Sequence, residues 1–315
     1  MYQNLRLFAG SSNPKLAADI SEQLGVELGK IKVARFQSGE IYVHYEESIR
    51  NCDVFLLQSF SHPINEMFVE LLVMIDAAKR ASARTINIIV PYYGYARQER
   101  KAAPREPISA KMVADVLTTA GATRVITIDL HSPAIQGFFN IPVDHLTAMD
   151  LITHYLKSKH IENPVIVSPD AGRAKTAEKL ASRLDARFAM MVKQRPAHNE
   201  AVITHVVGEV KGRTPIIIED LIDTGSTIVQ VVEALKQRGA NDAIVCATHG
   251  VFSGQALYRL DHTHIKELVV TDSIAVPDDY KGFVKVLSVA NILAEATHII
   301  MEGGSIATLF KDAGV

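Results

Sequence analysis

The sequence predicts an α/β protein built from two tandem units, each with a central, largely parallel sheet flanked by helices. Runs of β-branched residues such as Ile216–Ile218 are typical of strands that a parallel sheet buries on both faces. Segments with apolar residues at helical spacing follow several of these runs. The same order of strand, helix, strand, hairpin and buried strand occurs in both halves, which indicates an internal duplication.

Each predicted element has its own signal in the sequence. Helices show apolar residues three and four positions apart, and strands are short apolar or alternating runs bounded by Gly, Pro or polar residues. In the first half, strands are predicted at 5–10, 32–36, 54–58, 85–90 and 125–130, a hairpin segment at 37–47, and helices over about 14–24, 65–80 and 110–120. In the second half, a strand followed by a loop is predicted at 164–172, strands at 186–195, 214–220 and 267–274, a hairpin segment at 201–210, and helices over about 173–184, 226–238 and 289–298.

Composition limits the number of domains and the class of partner. A chain of 315 residues with 48% hydrophobic composition is long enough for two domains, expected at 1–149 and 150–315, with the tail packing on the first. A formal net charge of -2 gives no reason to expect nucleic acid or a membrane surface as partner. Cys52 and Cys246 form no disulfide framework or zinc pattern, so we expect buried thiols in a reducing compartment. Because no apolar stretch approaches about 18 residues, a cytoplasmic protein is expected.

The stretch Ile216–Ile228 carries the strongest functional signal. Glu219, Asp220 and Asp223 follow a buried strand, at the end where open α/β sheets bind their ligands. Thr224–Thr227 leads directly into a helix, whose unpaired backbone N–H groups and dipole favour a phosphate. Carboxylates repel phosphate, so we expect them to bind sugar hydroxyls or a divalent metal. The stretch predicts a phosphorylated sugar as ligand, although an ordinary strand–helix turn can have a similar composition.

A second candidate is the cationic segment at about 95–107. It contains Arg97, Arg100, Lys101 and Arg105, together with two prolines, and its composition also fits a solvated surface loop. The aromatic run just before it offers ring faces that could stack on a base, so we expect an anion-binding lid. Neither a Walker loop nor a Rossmann fingerprint is present, so an ATP site would use other segments.

Six segments form an ordered set along nearly the whole chain. They are RFQSGE at 35–40, PYYGYARQERK at 91–101, DLHSPAIQGFFNIPVDHL at 129–146, SPDAG at 168–172, VKQRP at 192–196 and EDLIDTGST at 219–227. This set resembles the motifs of the ribose-phosphate diphosphokinases, also called phosphoribosyl-diphosphate synthetases, of the class I-like type. The last segment alone also resembles the binding loop of type I phosphoribosyltransferases.

The resemblance implies a fold, a reaction and an assembly. The fold is two tandem phosphoribosyltransferase-type I-like domains, the first on the nucleotide side and the second on the ribose 5-phosphate side. The reaction transfers the diphosphoryl group of ATP to the C1 hydroxyl of ribose 5-phosphate, giving 5-phosphoribosyl 1-diphosphate and AMP for nucleotide, His and Trp biosynthesis. Mg²⁺ is the implied cofactor. A homohexamer with allosteric ADP and phosphate is implied, with part of the nucleotide site supplied by a neighbouring subunit.

The resemblance also assigns site residues by position. The implied ATP-binding residues are Phe36, Ser38, Gly39, Glu40, Arg97, Gln98 and His131. The implied ribose 5-phosphate-binding residues are Arg195, Glu219, Asp220, Asp223, Thr224, Gly225, Ser226 and Thr227. His131 and Asp170 correspond to metal ligands, and both follow predicted strands. Lys193 and Arg195 are the expected catalytic cations, since strand alternation puts both on one face and cations stabilise charge during phosphoryl transfer.

Three departures from the family's usual pattern bear on this reading. Glu219 and Ser38 stand where Asp is usual, and Arg173 stands where Gly is usual, which adds a cation beside Asp170. Two other functions stay open: a non-catalytic regulatory subunit of such a synthetase, and a phosphoribosyltransferase. The expected metal-binding, cationic and sugar-phosphate-binding residues are all present, which argues against a non-catalytic subunit. The cationic segment has no role in the reaction of a phosphoribosyltransferase, which argues against that function.

Overall fold

The computed structural model describes residues 4–197, 200–280 and 282–310, and only the backbone of residues 193–197, 200–204, 278 and 310. The strands are β1 Leu5–Ala9, β2 Ile31–Arg35, β3 Ile41–Tyr45, β4 Asp53–Leu57, β5 Thr85–Ile89, β6 Arg124–Ile128, β7 Val143–Leu146, β8 Pro164–Ser168, β9 Arg187–Ala197, β10 Glu200–Val207, β11 Thr214–Ile222, β12 Ala243–Gly250, β13 Ile265–Thr271 and β14 Val284–Leu287. The helices are α1 Pro14–Leu24, α2 Ile64–Arg80, α3 Ser109–Ala120, α4 Met149–Lys157, α5 Ala174–Leu184, α6 Ser226–Gln237, α7 Ala256–Asp261 and α8 Ala290–Met301. Over the described ranges, none of the helices combines the length and the apolar character needed to cross a bilayer.

The chain forms two compact units. Unit 1 comprises Met1–Thr147, Ser273–Ala275 and Ser288–Val315, and unit 2 comprises Ala148–Asp272 and Val276–Leu287. Unit 1 has a five-stranded parallel sheet in the order β1-β4-β5-β6-β7. Unit 2 has a seven-stranded sheet in the order β10-β9-β8-β11-β12-β13-β14, in which β9 and β10 are antiparallel and the other pairs are parallel. The predicted fold class is confirmed.

The strand orders of the two units are related. In both units, the parallel strands lie side by side in the same order: the first strand of the unit, then the fourth, fifth, sixth and seventh. These orders are β1-β4-β5-β6-β7 and β8-β11-β12-β13-β14. A hairpin follows the first strand in each unit: β2 and β3 form a separate antiparallel ribbon, whereas β9 joins the sheet through β8. The predicted duplication is therefore confirmed in strand order, and it makes β11 the equivalent of β4.

Local sequence explains why the main helices form where they do. In α6, Ile228, Val231, Val232 and Leu235 lie on one face and are buried against the unit 2 sheet. In α1, the Asn13 side chain accepts a hydrogen bond from Leu16 N, a standard helix N-cap. The predicted helices agree with the observed ones to within three residues.

Helices α4 and α7 and strands β7, β12 and β14 have no predicted counterpart. The two helices have only 9 and 6 residues, too few for a clear helical period. Strand β12 is buried along its whole length, so its sequence shows no alternation.

Candidate active site

The end of β11 carries the predicted sugar-phosphate residues. We call Glu219 and Asp220 the acidic pair, and Thr224–Thr227 the phosphate loop. Both carboxylates of the acidic pair belong to β11, and α6 begins at Ser226, within the phosphate loop. Gly225 is buried, while the three hydroxyl-bearing residues of the loop are exposed. The structure therefore brings carboxylates and a helix N-terminus to one strand end, as the sequence predicted.

Gly225 is required by the backbone of the phosphate loop. Its φ of +75° lies in the left-handed region that side chains disfavour. A Cβ at this position would lie 3.2 Å from Leu260 Cγ, on α7. Helix α7 also supports the loop directly, because Arg259 Nη1 donates a hydrogen bond of 2.8 Å to Thr224 O. Sequence reasoning missed Arg259, because a single exposed arginine on a short helix carries no pattern.

Arg173 forms ion pairs with both members of the acidic pair. Its Nε lies 3.5 Å from Glu219 Oε2, and its Nη2 forms a close ion pair with Asp220 Oδ2. The side chains of Arg173, Glu219 and Asp220 are 20%, 13% and 6% exposed. Asp220 is thus the most buried carboxylate of the predicted site, and its charge is compensated from a different part of the chain.

The loop after β8 places Asp170 beside Arg173. Asp170 Oδ1 accepts hydrogen bonds from Gly172 N at 2.9 Å and from Arg173 N at 3.3 Å. Ser168 Oγ donates to Asp170 O at 2.6 Å. A carboxylate has about four lone-pair positions, so this capping leaves capacity for a cation. Among the described residues, no group of three or more His, Cys, Asp or Glu side chains is arranged to hold a metal ion.

The predicted catalytic cations belong to β9. Lys193 and Arg195 both lie within this strand, and Lys193 pairs with Ile203 of β10. The β9–β10 ladder has register shifts on both sides of the Lys193 and Gln194 pairings, so regular alternation cannot be assumed there. The side chains of Lys193 and Arg195 lie outside the described part of the chain, and their common face stays a prediction.

The predicted adenine-contacting residues occupy the turn between β2 and β3, which we call the hairpin turn, Phe36–Glu40. Phe36 N donates to Glu40 O at 2.9 Å, Gly39 adopts φ +91°, and Ser38 Oγ donates to Glu40 Oε2 at 2.6 Å. Phe36 is 57% exposed, and its ring forms a T-shaped pair with that of Tyr42 at 5.7 Å between centroids. An exposed aromatic ring on a tight turn is well suited to stacking.

The cationic segment at 95–107 is exposed, but the aromatic run before it is not. Arg97 and Gln98 are exposed, and Gln98 Oε1 accepts a hydrogen bond of 2.6 Å from Ser109 Oγ. Tyr92 and Tyr93 are 6% and 2% exposed, and Tyr93 OH donates to the carbonyl of residue 110 at 3.0 Å. The suggestion that these tyrosines stack on a base was therefore wrong, because they belong to the core of unit 1.

His131 is exposed and lies in the loop after β6, which is hydrogen-bonded to the His145 side chain. Leu130 N donates a hydrogen bond of 2.9 Å to His145 Nε2, so this nitrogen carries no proton. Gln136 Nε2 lies 3.2 Å from His145 Nδ1. Burial lowers the pKa of His145, and the Asp129 carboxylate partly opposes this shift. His145 lies within the predicted motif, but sequence reasoning gave it no role.

The fold and its strand-end residues define a class of protein. Parallel α/β sheets with carboxylates and a helix N-terminus at the carboxyl end of a strand are typical of enzymes that bind phosphorylated small molecules. Residues 5–121 match the family described as the N-terminal domain of ribose phosphate pyrophosphokinase, and residues 188–311 match the phosphoribosyl synthetase-associated domain.

Similarity to known proteins identifies the family within this class. A ribose-phosphate pyrophosphokinase from Bacillus caldolyticus is 54% identical over 308 residues, 97% of this chain and 98% of the relative. One from Corynebacterium ammoniagenes is 50% identical over 309 residues, 98% of each chain. The crystal structure of a phosphoribosylpyrophosphate synthetase from Mycobacterium smegmatis has a TM-score of 0.91 at 44% identity, covering 96% of this chain and 100% of that one. The chain belongs to the ribose-phosphate pyrophosphokinase family, and the predicted family and diphosphotransferase activity are confirmed.

Proposed function

We propose that the chain transfers the diphosphoryl group of ATP to the C1 hydroxyl of ribose 5-phosphate, giving 5-phosphoribosyl 1-diphosphate and AMP. The main support for ribose 5-phosphate as a substrate comes from the end of β11. There the acidic pair and the phosphate loop follow each other in one strand–helix connection. The phosphate is expected to bind at the phosphate loop and not at the acidic pair, because it is attracted by the helix N-terminus and repelled by carboxylates.

Ribose 5-phosphate is assigned to unit 2. Its phosphate is proposed to accept hydrogen bonds from the phosphate loop, where three exposed hydroxyls add to the backbone N–H groups at the start of α6. The acidic pair and Asp223 are proposed to accept hydrogen bonds from the sugar hydroxyls, because ionised carboxylates are acceptors only. This division orients the sugar with its C1 hydroxyl away from the phosphate loop.

ATP is assigned to residues of unit 1. The exposed Phe36 ring is proposed to stack on adenine, with Ser38, Gly39 and Glu40 at its polar edge. Arg97, Gln98 and His131 are proposed to contact the rest of the nucleotide from the loops that follow their strands. The exposure of the hairpin turn supports a site completed by a neighbouring subunit, and we extend this to a homohexamer that ADP and phosphate regulate.

Lys193 and Arg195 are proposed to carry the chemistry. The C1 oxygen of the sugar attacks the β-phosphorus of ATP, and the bond from that phosphorus to the oxygen bridging the α-phosphate breaks, releasing AMP. The hydroxyl proton leaves to solvent or base. Charge builds on the phosphoryl oxygens in this step, and an ammonium and a guanidinium fixed on one strand would stabilise it.

Magnesium is the proposed cofactor, and Asp170 of unit 2 is proposed as a residue that would hold it; His131, the other ligand that the resemblance implies, stays a prediction. The Asp170 carboxylate is a hard oxygen donor of the kind that Mg²⁺ prefers, and its capping by two backbone N–H groups fixes its orientation. When bound, the ion would neutralise charge on the ATP phosphates. The buried, unpaired cysteines Cys52 and Cys246 fit the proposed reducing, cytoplasmic location.

A product assay tests the function. ATP labelled at the β-phosphorus is incubated with ribose 5-phosphate, Mg²⁺ and the protein, and AMP and labelled sugar are separated by chromatography. Label on the sugar in equal amount to AMP is the expected result, and Lys193→Ala should reduce the rate by about 100-fold or more. Lys236→Ala, an exposed lysine at the end of α6, is the matched control and should leave the rate unchanged. Absence of AMP with the parent protein would refute the proposal.

A further inference from the structure

Arg173 joins two parts of unit 2 that the proposed function uses separately. Its guanidinium contacts both carboxylates of the acidic pair, with Nε 3.5 Å from Glu219 Oε2 and Nη2 in a close ion pair with Asp220 Oδ2. Its backbone N–H donates to Asp170 Oδ1 at 3.3 Å. One residue therefore touches the proposed sugar-binding carboxylates through its side chain and the proposed metal ligand through its main chain.

The position of Arg173 is fixed by local structure. It is the last residue of the short turn Ala171–Arg173 and immediately precedes α5, so its backbone is held at both ends. Its side chain is only 20% exposed. A planar guanidinium held in this way presents its N–H groups in a fixed fork, which a lysine ammonium cannot do.

The acidic pair needs such a partner. Two neighbouring carboxylates that are 13% and 6% exposed lose hydration and repel each other, and a shared cation offsets both effects. Removing one partner of a buried ion pair leaves the other charge uncompensated. An ionised carboxylate has about four lone-pair positions, so a contact with one guanidinium does not by itself prevent it from accepting a hydrogen bond from a ligand hydroxyl.

We propose that Arg173 is a positioning residue that orients the acidic pair toward the sugar hydroxyls and thereby determines the preference for ribose 5-phosphate over 2-deoxyribose 5-phosphate. This inference rests on the proposed function, which assigns the acidic pair to the sugar. A site built to bond a hydroxyl rejects an analogue that lacks it, because its own buried polar groups are then left unpaired. That rejection requires the carboxylates to be held in place, and Arg173 holds them.

Direct sugar binding tests the inference without relying on turnover. The full chain and the variants Arg173→Gln and Arg173→Lys are titrated calorimetrically with ribose 5-phosphate and with 2-deoxyribose 5-phosphate. The parent should prefer ribose 5-phosphate by about tenfold or more, and Arg173→Gln should reduce this preference to about twofold or less. Arg173→Lys should recover part of the preference, because it restores the charge but not the fork.

Arg183→Gln is the matched control. Arg183 lies on α5 of the same unit, is 16% exposed, and pairs with Asp150 rather than with the acidic pair. It should lower the unfolding temperature by less than Arg173→Gln, because the Asp150 side chain is 43% exposed, and it should leave the sugar preference unchanged. In the product assay, Arg173→Gln should raise KM for ribose 5-phosphate by about tenfold with a much smaller change in kcat.

Two results would overturn the inference. If Arg173→Gln weakens the binding of both sugars by the same factor, Arg173 has a structural role only. If the parent binds the two sugars equally well, the acidic pair does not distinguish a sugar with the 2-hydroxyl from one without it. A parent protein that binds ribose 5-phosphate selectively but forms no AMP would refute the proposed reaction and leave the role of Arg173 supported, so the two failures are distinguishable.

Discussion

Replacing Gly225 by alanine tests whether the phosphate loop binds the sugar phosphate. Gly225 immediately precedes α6 and adopts φ +75° and ψ -9°. Its carbonyl accepts the hydrogen bond of 3.0 Å from Val229 N that begins the helix. A change of conformation at this residue therefore moves the N–H groups that are proposed to face the phosphate.

The structure gives the size of the perturbation. An alanine in the left-handed region costs about 1–2 kcal/mol. Its Cβ would also lie 3.2 Å from Leu260 Cγ and 3.5 Å from Ala256 O, so either α7 or the loop must shift by a few tenths of an ångström. If the loop shifts, a hydrogen bond to a charged phosphate worth about 1.5–3 kcal/mol is weakened. Since 1.4 kcal/mol is a factor of about ten, KM for ribose 5-phosphate should rise by about tenfold or more.

The assay compares two glycines of the same helix. Gly239 follows the other end of α6 and adopts φ +78°, and a Cβ there would meet only the Lys211 side chain, at 3.3 Å from Cγ. Gly225→Ala and Gly239→Ala should both lower the unfolding temperature, because both carry the same backbone penalty. Only Gly225→Ala should raise KM for ribose 5-phosphate, measured by initial rates at saturating ATP.

An unchanged KM for ribose 5-phosphate in Gly225→Ala would contradict the proposed phosphate site. If Gly225→Ala loses stability like Gly239→Ala but keeps the parent KM for ribose 5-phosphate, the phosphate does not bind at this helix N-terminus. If it raises KM for ATP instead, the proposed assignment of substrates to the two units is wrong.

Three further variants test other parts of the site. Phe36→Ala should raise KM for ATP by about 5- to 150-fold, because base stacking contributes about 1–3 kcal/mol; Tyr258→Ala, with a similarly exposed ring in unit 2, should leave KM for ATP unchanged. Arg259→Ala should raise KM for ribose 5-phosphate by about two- to fivefold at unchanged KM for ATP, because it removes one solvent-exposed hydrogen bond to the phosphate loop. His145→Gln tests a pH effect: the folded pKa of His145 lies below its unfolded value of about 6.5, so its contribution to stability is present above that pH and is lost as pH falls toward the folded pKa. Between pH 7.5 and 5, the unfolding temperature should therefore fall more steeply with decreasing pH for the parent than for His145→Gln. Equal slopes for the two proteins would contradict a contribution of His145 to the pH dependence of stability.

Local elements of the site could be predicted from the sequence because their causes are local. The buried strand, the carboxylates at its end and the helix that starts at Ser226 follow from residue type and spacing within one short stretch. The hairpin turn was equally accessible, since alternation in β3 and a glycine at the turn are short-range signals. The duplication could also be predicted, because it repeats the order of such local signals.

Residue type and spacing are sufficient to predict the fold class, the repeat of one α/β unit and the strand ends at which the site residues lie. Which side chains share an environment there depends on tertiary packing. Tyr92 and Tyr93 look like ligand-stacking residues in sequence, but both are buried, and Tyr93 packs against Phe60 and donates a hydrogen bond to α3. The sequence places Arg173 beside Asp170, but only the parallel pairing of β8 with β11 brings its loop beside the acidic pair. Periodicity records which face a residue occupies on its own element, whereas contact between elements depends on strand order, which no short stretch of sequence contains.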